Sequence, residues 1–349
     1  MEQNWISPFI KCVFLRKRVI GLLGFINFSA LLLFNFVFIN QPLYAQQLPL
    51  FSQYTFSAFL LNPAAAGAEG YTAINLTSRS QWTGVEGAPT TGIFSIQSRI
   101  MKRNYVETNA SIRKRYMQPL RSGRVGIAAG IYYDHAGQID QTNAFFTYAY
   151  HIATGGEQFS LGATFSLMQY KVNTSFLSNT DQQDLNLNGA NLLVYLPDCN
   201  IGAYYTNQKM FLGFSILQLA QGSAHLQNYH KSNFIIYRHF YLIGGYKYEM
   251  NDQVVWKPSL YIKTSQQFLI QMDATIKIIY DERFWLGVAY RTGNSFISSV
   301  GIRIDRLNIG YSFDYGNNGL MNNSYGSHEL MVAIKLGDNV RRYRWMDRY

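Results

Sequence analysis

Apolar residues alternate with polar or small residues over many short segments of this chain, and this period of two limits its fold more than any other feature. In residues 307–314 the odd positions are apolar and the even positions are polar or small. Residues 268–279 repeat the pattern, with apolar even positions and polar odd positions from Gln271 to Lys277. Successive side chains of a β-strand point to opposite faces, whereas a helix repeats every 3.6 residues. The pattern therefore predicts strands that have one apolar and one polar face.

About fourteen such segments follow one another along the chain. They start near Tyr71, Pro89, Gly123, Gln138, Glu157, Pro197, Met210, Tyr237, Val254, Gln267, Arg283, Phe296, Arg306 and Ser327. An even number of antiparallel strands is what a closed bacterial barrel needs. We therefore expect an all-β fold, a transmembrane antiparallel β-barrel of about 14 strands that occupies residues 71–336.

The composition agrees with a barrel in an outer membrane. Aromatic residues make up 16% of the chain and charged residues only 14%, against roughly 25% charged residues in an average soluble domain. Such a balance suits a wall that faces lipid and is flanked by girdles of aromatic residues. The mean hydropathy of −0.09 is too polar for a helical membrane protein.

The N-terminal residues have the pattern of a targeting segment. Four basic residues between positions 11 and 18 precede an apolar run over residues 19–39, and a small residue, Ala45, follows. This order predicts a signal peptide, residues 1–45, that is cleaved after Ala45; the alternative is an uncleaved membrane anchor. Cleavage removes Cys12 and leaves Cys199 as the one cysteine, so no internal disulfide is expected.

The lengths of the connections predict the orientation of the barrel. Short links near residues 154–156, 206–209 and 280–282 alternate with connections that include three long ones, at residues 171–191, 220–236 and 316–325. Barrels of this class have short periplasmic turns and longer outside loops. We therefore expect both termini in the periplasm and the three long loops outside.

One predicted periplasmic connection, residues 102–122, is long and strongly basic. From Arg99 to Arg124 the chain has eight Lys and Arg residues and a single Glu. It is too poor in aromatic residues to bind nucleic acid by base stacking. Two interpretations stay open: a solvated turn near anionic lipid head groups, or a surface that docks a periplasmic partner through Arg113, Lys114 and Arg115. Residues 337–349 form a basic, aromatic periplasmic tail, which is either frayed or a docking peptide.

No catalytic or nucleotide-binding motif is present. The sequence has no Gly-Lys pair for a phosphate loop and no G-x-S-x-G motif, and His328-Glu329 lacks the second His of a zinc-protease site. Six scattered histidines give little support for a metal site. We therefore expect no enzyme activity, no cofactor and no small-molecule substrate.

A short apolar segment, residues 46–70, precedes the first strand. It contains Phe56, Phe59 and the pair Asn62-Pro63, and Pro63 disfavours helical angles at Asn62. The segment is too short for a strand pair and too apolar to be exposed. We expect it to pack in the lumen or at the rim of the barrel.

Several sequence blocks, in one order along the chain, resemble a known family. The first, SQYTFSAFLLNPAAAG from Ser52, contains Gln53, Tyr54, Asn62 and Pro63, and the second, RSQWTGVEGAPTTG, contains Arg79, Gln81, Trp82, Gly87 and Pro89. Later blocks are PDCNIGAYY, with Pro197 and Asp198, and GSHEL, with Ser327, His328 and Glu329. In these blocks the chain is similar to the PorP/SprF family of the type IX secretion system.

The resemblance implies a function in secretion and gliding. It implies an outer-membrane barrel that exports or displays a surface adhesin, together with other secretion subunits and without catalysis. The hairpin after Arg79 is then either an aromatic girdle with a glycine-dependent turn or a holder for the extracellular end of an exported substrate. Two other functions stay open from the sequence: a passive porin-type channel for small solutes, and a soluble β-sandwich or lectin-like exported protein.

Overall fold

The computed structural model describes residues 51–100, 124–154, 156–172, 192–221, 223–225, 233–267, 269–316 and 324–336. The predicted signal peptide, the basic connection with Arg113, Lys114 and Arg115, and the tail at residues 337–349 lie outside the described residues. So do large parts of the three long loops.

Strands make up most of the described chain. Their bounds are β1 (Thr72–Ser80), β2 (Thr90–Ile100), β3 (Val125–Ala136), β4 (Ile139–Thr154), β5 (Glu157–Val172), β6 (Leu192–Thr206), β7 (Met210–Leu217), β8 (Ser223–His225), β9 (Asn233–Ile235), β10 (His239–Tyr246), β11 (Tyr248–Glu249), β12 (Val254–Ser265), β13 (Ile270–Tyr280), β14 (Phe284–Arg291), β15 (Ser295–Ile304), β16 (Leu307–Gly316) and β17 (Ser327–Leu336). Three short helical turns precede them: a 3₁₀ helix at Tyr54–Phe56, α1 at Ala58–Leu61, and a second 3₁₀ helix at Pro63–Ala65.

Fourteen of these strands form a closed antiparallel barrel, which confirms the predicted fold class and strand number. Strands β1–β7 pair in chain order, β7 pairs with β10, and β10 pairs with β12. Strands β12–β17 then follow in order, and β17 pairs with β1 to close the barrel. The short β11 extends the edge beside β12, and β8 and β9 form a separate two-stranded sheet.

The predicted strand starts agree with the structure to within three residues, except at β6. The sequence predicts this strand near Pro197, but it begins at Leu192. The residues before Pro197 do not alternate, because the inward positions there are apolar as well. Leu196 packs with Met168 and Ile236 in a small apolar cluster on the inner wall, so an apolar-polar pattern could not mark this end of the strand.

The alternation of exposed and buried side chains confirms the predicted register of β13 and β16. On β13, Ile270 is 62% exposed on the outer face, whereas Asp273 is 1% exposed on the inner face. On β16, Tyr311 points outward and Ser312 is buried. The outer wall is therefore apolar and the inner wall polar, as a bilayer requires of a transmembrane barrel.

The two ends of the barrel differ in their connections. The terminal end, where β1 begins and β17 ends, has the short links 155–156, 207–209, 281–283 and 305–306. The opposite end, called the distal end here, has the three long connections, after β5, β7 and β16. The connection between β2 and β3 is the long exception at the terminal end. Among the described residues, no helix is long and apolar enough to cross a bilayer.

Candidate functional site

Residues 51–70, called the plug here, lie inside the barrel. The sequence predicted that this segment packs either in the lumen or at the rim of the barrel, and in the structure it packs in the lumen. Its Phe59, Ala64 and Ala66 are almost completely buried. Asn62 has extended angles before Pro63, and its Oδ1 accepts a hydrogen bond from the Ala64 nitrogen at 3.0 Å. Asn62 thus caps the second 3₁₀ helix, which shapes the plug into a compact fold.

Aromatic side chains join the plug to strands on different sides of the lumen. The Tyr54 ring stacks on Tyr261 of β12, with a centroid distance of 5.2 Å. Phe56 packs against Trp285 of β14 at 5.4 Å, and Phe59 lies 6.3 Å from Phe145 of β4. Aromatic pairs at these separations add to the free energy of burial.

The Asn62 side-chain amide and the Leu61 carbonyl of the plug are hydrogen-bonded to the wall. Asn62 Nδ2 donates to the carbonyl of Ala203 at 2.9 Å and to that of Phe214 at 3.3 Å. The Ser215 hydroxyl donates to the carbonyl of Leu61 at 2.5 Å. Buried polar groups are costly when unpaired, so these bonds fix the position of α1 against β6 and β7.

A buried histidine holds the C-terminal half of the plug. His151 of β4 is fully buried, and its Nε2 lies 2.9 Å from the carbonyl oxygen of Ala66. Its Nδ1 lies 2.7 Å from the Ser160 hydroxyl. Because a carbonyl can only accept, Nε2 donates to it, and in the neutral imidazole Nδ1 then accepts from Ser160. Gln97 of β2 accepts from the nitrogen of Gly67 at 3.2 Å.

Three inward glycines make room for the plug. Gly126, Gly162 and Gly202 lie on β3, β5 and β6, at positions where inward side chains are expected. A Cβ at any of them would overlap plug atoms of Ala66, of Ala64 or of Asn62, respectively. The wall and the plug are therefore shaped to each other, because no larger residue fits at these places.

Five charged side chains form one buried network on the inner wall near the distal end. Arg79 of β1 contacts Asp314 of β16 at 2.6 Å and Glu329 of β17 at 3.0 Å. Arg291 of β14 contacts Asp273 of β13 at 2.8 Å and also Asp314, at 3.5 Å. The members of the network therefore lie on five strands, and charges that are buried to this degree are stable only when paired.

The N-terminal end of the plug completes this network. The backbone nitrogens of Ser52 and Gln53 donate to the two oxygens of Glu329, at 2.7 and 2.9 Å. The Ser52 hydroxyl accepts from Arg79 at 2.6 Å and donates to Asp314 at 2.8 Å. Hydrogen bonds to charged groups are stronger than neutral ones. Ser52 and Gln53 are thus fastened to the wall where Arg79 and Glu329 meet.

The phenol of Tyr54 is an ionisable group of the plug that contacts two hydroxyls of the wall. Its hydroxyl lies 3.2 Å from that of Ser259 and 3.4 Å from that of Thr275. Burial raises the pKa of the Tyr54 phenol above its ordinary value, because the charged form would lose its hydration. Tyr54 therefore stays neutral and acts as a hydrogen-bonding anchor.

The plug leaves little free space around it. One cavity on its terminal side has a volume of about 50 Å³, and one on its distal side about 100 Å³. The middle of the lumen is filled by protein.

The structure brings six of the predicted family-motif residues together around the plug. They are Gln53, Tyr54, Asn62, Pro63, Arg79 and Glu329. Residues from the first two motif blocks and from the last one thus meet in a single buried assembly. The sequence singled these residues out but did not indicate that Arg79 and Glu329 form an ion pair.

The hairpin after β1 is held at the distal end by main-chain hydrogen bonds. The nitrogen of Trp82 donates to the Ser327 hydroxyl at 3.2 Å, and the nitrogen of Gly137 donates to the carbonyl of Gly87 at 2.9 Å. Pro89 accepts from the nitrogen of Gln81 at 2.8 Å. The Trp82 side chain remains 37% exposed. Arg79, which the sequence grouped with this hairpin, instead points into the lumen.

The remaining motif residues lie apart from the plug. Pro197 is exposed on the outer face of β6. Asp198 accepts hydrogen bonds from the nitrogens of Cys199 and Ala220, at 2.8 and 3.0 Å, and so fixes the chain after β7. His328 faces outward, where its Nδ1 lies 2.7 Å from the Tyr311 hydroxyl.

Sequence reasoning missed several residues of the assembly. They are Ser52, Gln97, Gly126, His151, Gly162, Gly202, Asp273, Arg291 and Asp314. A usable signal was present at the glycines, since glycine at inward positions of several strands indicates close packing of another segment. Among the residues that the structure describes, no group of three or more His, Cys, Asp and Glu side chains is placed to hold a metal ion.

A family model described as "Type IX secretion system membrane protein PorP/SprF" matches residues 43–334 of the chain. None of the curated protein sequences compared with the chain matches it.

Among solved structures, the toluene transporter TbuX of Ralstonia pickettii is similar at 13% identity and a TM-score of 0.46, over 80% of this chain and 92% of that one. A FadL homologue of Pseudomonas aeruginosa is similar at 10% identity and a TM-score of 0.43, over 80% of this chain and 93% of that one. The translocator domain of the autotransporter NalP from Neisseria meningitidis is similar at 9% identity and a TM-score of 0.36, over 76% and 86%.

Proposed function

Because the chain belongs to the PorP/SprF family of type IX secretion system membrane proteins, and is thus an outer-membrane β-barrel, we propose that it anchors or helps to export a cell-surface adhesin. In this proposal its periplasmic side contacts other secretion subunits. The protein acts by binding and placement.

The filled lumen is the observation that carries the proposal. A passive channel needs a continuous water-filled path through the barrel, and the plug occupies that path with Phe59, Ala64 and Ala66 almost completely buried. The ion pairs of Arg79 and the glycines of the wall hold the plug in place. These features favour a barrel that binds partners at its ends over a porin-type channel for small solutes.

We place the terminal end in the periplasm and the distal end outside. Support comes from the three long connections at the distal end, since outer-membrane barrels carry their longer loops outside. The rigid hairpin with Trp82 then lies on the outside, where it helps to hold the exported adhesin. The basic connection and the tail at residues 337–349 face periplasmic partners.

Cysteine labelling tests this orientation. In a Cys199→Ser background, Gln138→Cys places a thiol in an exposed turn at the distal end, and Asp252→Cys places one at the terminal end. We expect an impermeant maleimide on intact cells to label the first variant and not the second. Labelling of Asp252→Cys alone would show that the barrel has the opposite orientation and that every loop is assigned to the wrong side.

The function is tested by adhesin display and by recovery of partners. Cells without the protein should lose the adhesin from their surface, and the wild-type chain should restore it. A triple variant in which Arg113, Lys114 and Arg115 are replaced by Gln should fold normally but recover less periplasmic partner from mildly solubilised membranes, with weaker salt dependence.

A matched control removes charge from the same end without touching the basic connection. Arg283→Gln with Arg306→Gln changes two exposed turn residues and should leave partner recovery unchanged. Normal adhesin display in cells without the protein would contradict the proposed function. Unchanged recovery with the triple variant at low salt would contradict only the role of the basic connection.

A further inference from the structure

A cavity on the terminal side of the plug has a basic lining. It has a volume of about 50 Å³ and is bordered by Lys209, Lys247, Lys257 and Lys277, together with Gln53 and Trp285. Lys209 lies in the turn between β6 and β7, so the cavity extends from the terminal end of the barrel towards the plug. No acidic side chain belongs to its lining as described, and Lys247 forms an ion pair at 2.8 Å with Glu249 outside the lining.

Lys277 is the most deeply placed of these lysines. It points inward from β13 and is at least nine-tenths buried. Its Nζ lies 4.0 Å from the centroid of the Phe56 ring and 3.9 Å from that of Trp285. None of the ion pairs between described residues involves Lys277, in contrast to Arg79 and Arg291. The charges that act on its ammonium include Lys257, Lys335 and Glu69. The two rings stabilise an ammonium group here but do not neutralise it.

Two further side chains on the cavity have hydrogen-bonding atoms without a partner. The Trp285 Nε1 is buried and unpaired, and so are Nε2 and Oε1 of Gln53. Native proteins pair nearly all of their buried polar atoms, so a cluster of unpaired atoms beside a buried lysine indicates a missing partner. The groups present are three donors, namely the Lys277 ammonium, the Trp285 indole N–H and the Gln53 amide N–H, and one acceptor, Gln53 Oε1.

We propose that this cavity is a binding site for a carboxylate group. A carboxylate has two acceptor oxygens and one negative charge, which match the ammonium of Lys277 and the N–H groups of Trp285 and Gln53. The small volume admits the carboxylate group itself. The rest of the ligand extends towards Lys209 and Lys247 at the terminal end. The group comes either from a free small carboxylate or from an acidic peptide that enters at this end.

Calorimetric titration of the full chain in a non-ionic detergent tests the site. The probes are sodium acetate and a hexapeptide of Glu, each at constant ionic strength set with sodium chloride. We expect saturable binding of at least one probe to the wild type. Lys277→Met, which keeps the length of the side chain, should weaken it at least tenfold, and Trp285→Phe should weaken it several-fold because the N–H donor is lost and the aromatic ring beside Lys277 becomes smaller.

Lys263→Met is the matched control, since Lys263 is also an inward, buried lysine but does not border this cavity. It should bind the probes as the wild type does. Binding of acetate identifies the site as one for free carboxylates, and binding of the peptide alone identifies an acidic peptide as the ligand. No saturable binding to the wild type, or equal binding by the wild type and both cavity variants, would overturn the proposal.

Discussion

At the scale of single residues, Arg79 links the plug to the buried charged groups of the wall. It is 3% exposed, it pairs with two carboxylates on different strands, and it donates to the hydroxyl of the plug residue Ser52. An arginine in an apolar-polar strand pattern predicts only that the position faces the lumen. The pairing partners are 235 and 250 residues away in sequence, so no local pattern could identify them.

Arg79→Met should destabilise the barrel by roughly 3–5 kcal/mol, because it leaves Asp314 and Glu329 buried with one partner fewer. The measurement is a guanidinium titration followed by tryptophan emission in detergent. Ser78→Ala changes the neighbouring outward residue and should stay within about 0.5 kcal/mol of the wild type. Equal midpoints for the two variants would show that the ion pairs contribute nothing to stability.

At the scale of elements, the strands could be predicted from the sequence. For the plug, the sequence predicted that the segment is buried but not its path. Alternation predicted the number, the register and nearly all of the starts of the strands, because the lipid and the polar inner wall impose one side chain type on each face. It failed at the start of β6, where Leu196 faces inward onto an apolar cluster. The plug has no period, and its path is set by contacts with distant strands.

The fit between the plug and the wall predicts a steric effect at Gly162. Gly162→Val should cost roughly 1–3 kcal/mol, because its side chain would meet the backbone at Pro63 and Ala64. Ala163→Val, one residue along on the outer face, should cost less than about 0.5 kcal/mol. Comparable unfolding midpoints for the two would mean that the plug does not pack against β5.

The outer wall predicts an effect that depends on depth in the membrane. Ile276→Arg should destabilise a barrel refolded in lipid vesicles by about 2–4 kcal/mol, since Ile276 is an outward residue in the middle of β13. Ile304 is also outward but ends β15, and Ile304→Arg should cost about 0–1 kcal/mol. A larger cost at Ile304 than at Ile276 would place the bilayer elsewhere on the barrel.

At the scale of the whole molecule, a closed barrel and a buried N-terminal segment act as one structure. The plug contacts the wall at Tyr261, Phe145 and His151, which lie on β12 and β4, and its N-terminal end is bonded to β17 through Glu329. The family resemblance predicted an outer-membrane secretion barrel. That the plug fills the lumen could be learned only from the structure, because it depends on how fourteen strands surround one segment.

The conductance of single barrels in a planar lipid bilayer tests the central claim most directly. If residues 51–70 fill the lumen, the wild-type protein should show no steady open state in 1 M KCl, a salt concentration at which porins conduct continuously. A variant that lacks residues 46–68 should conduct, because the lumen is then open from end to end. A steady, porin-like conductance of the wild type, unchanged by the deletion, would contradict the account.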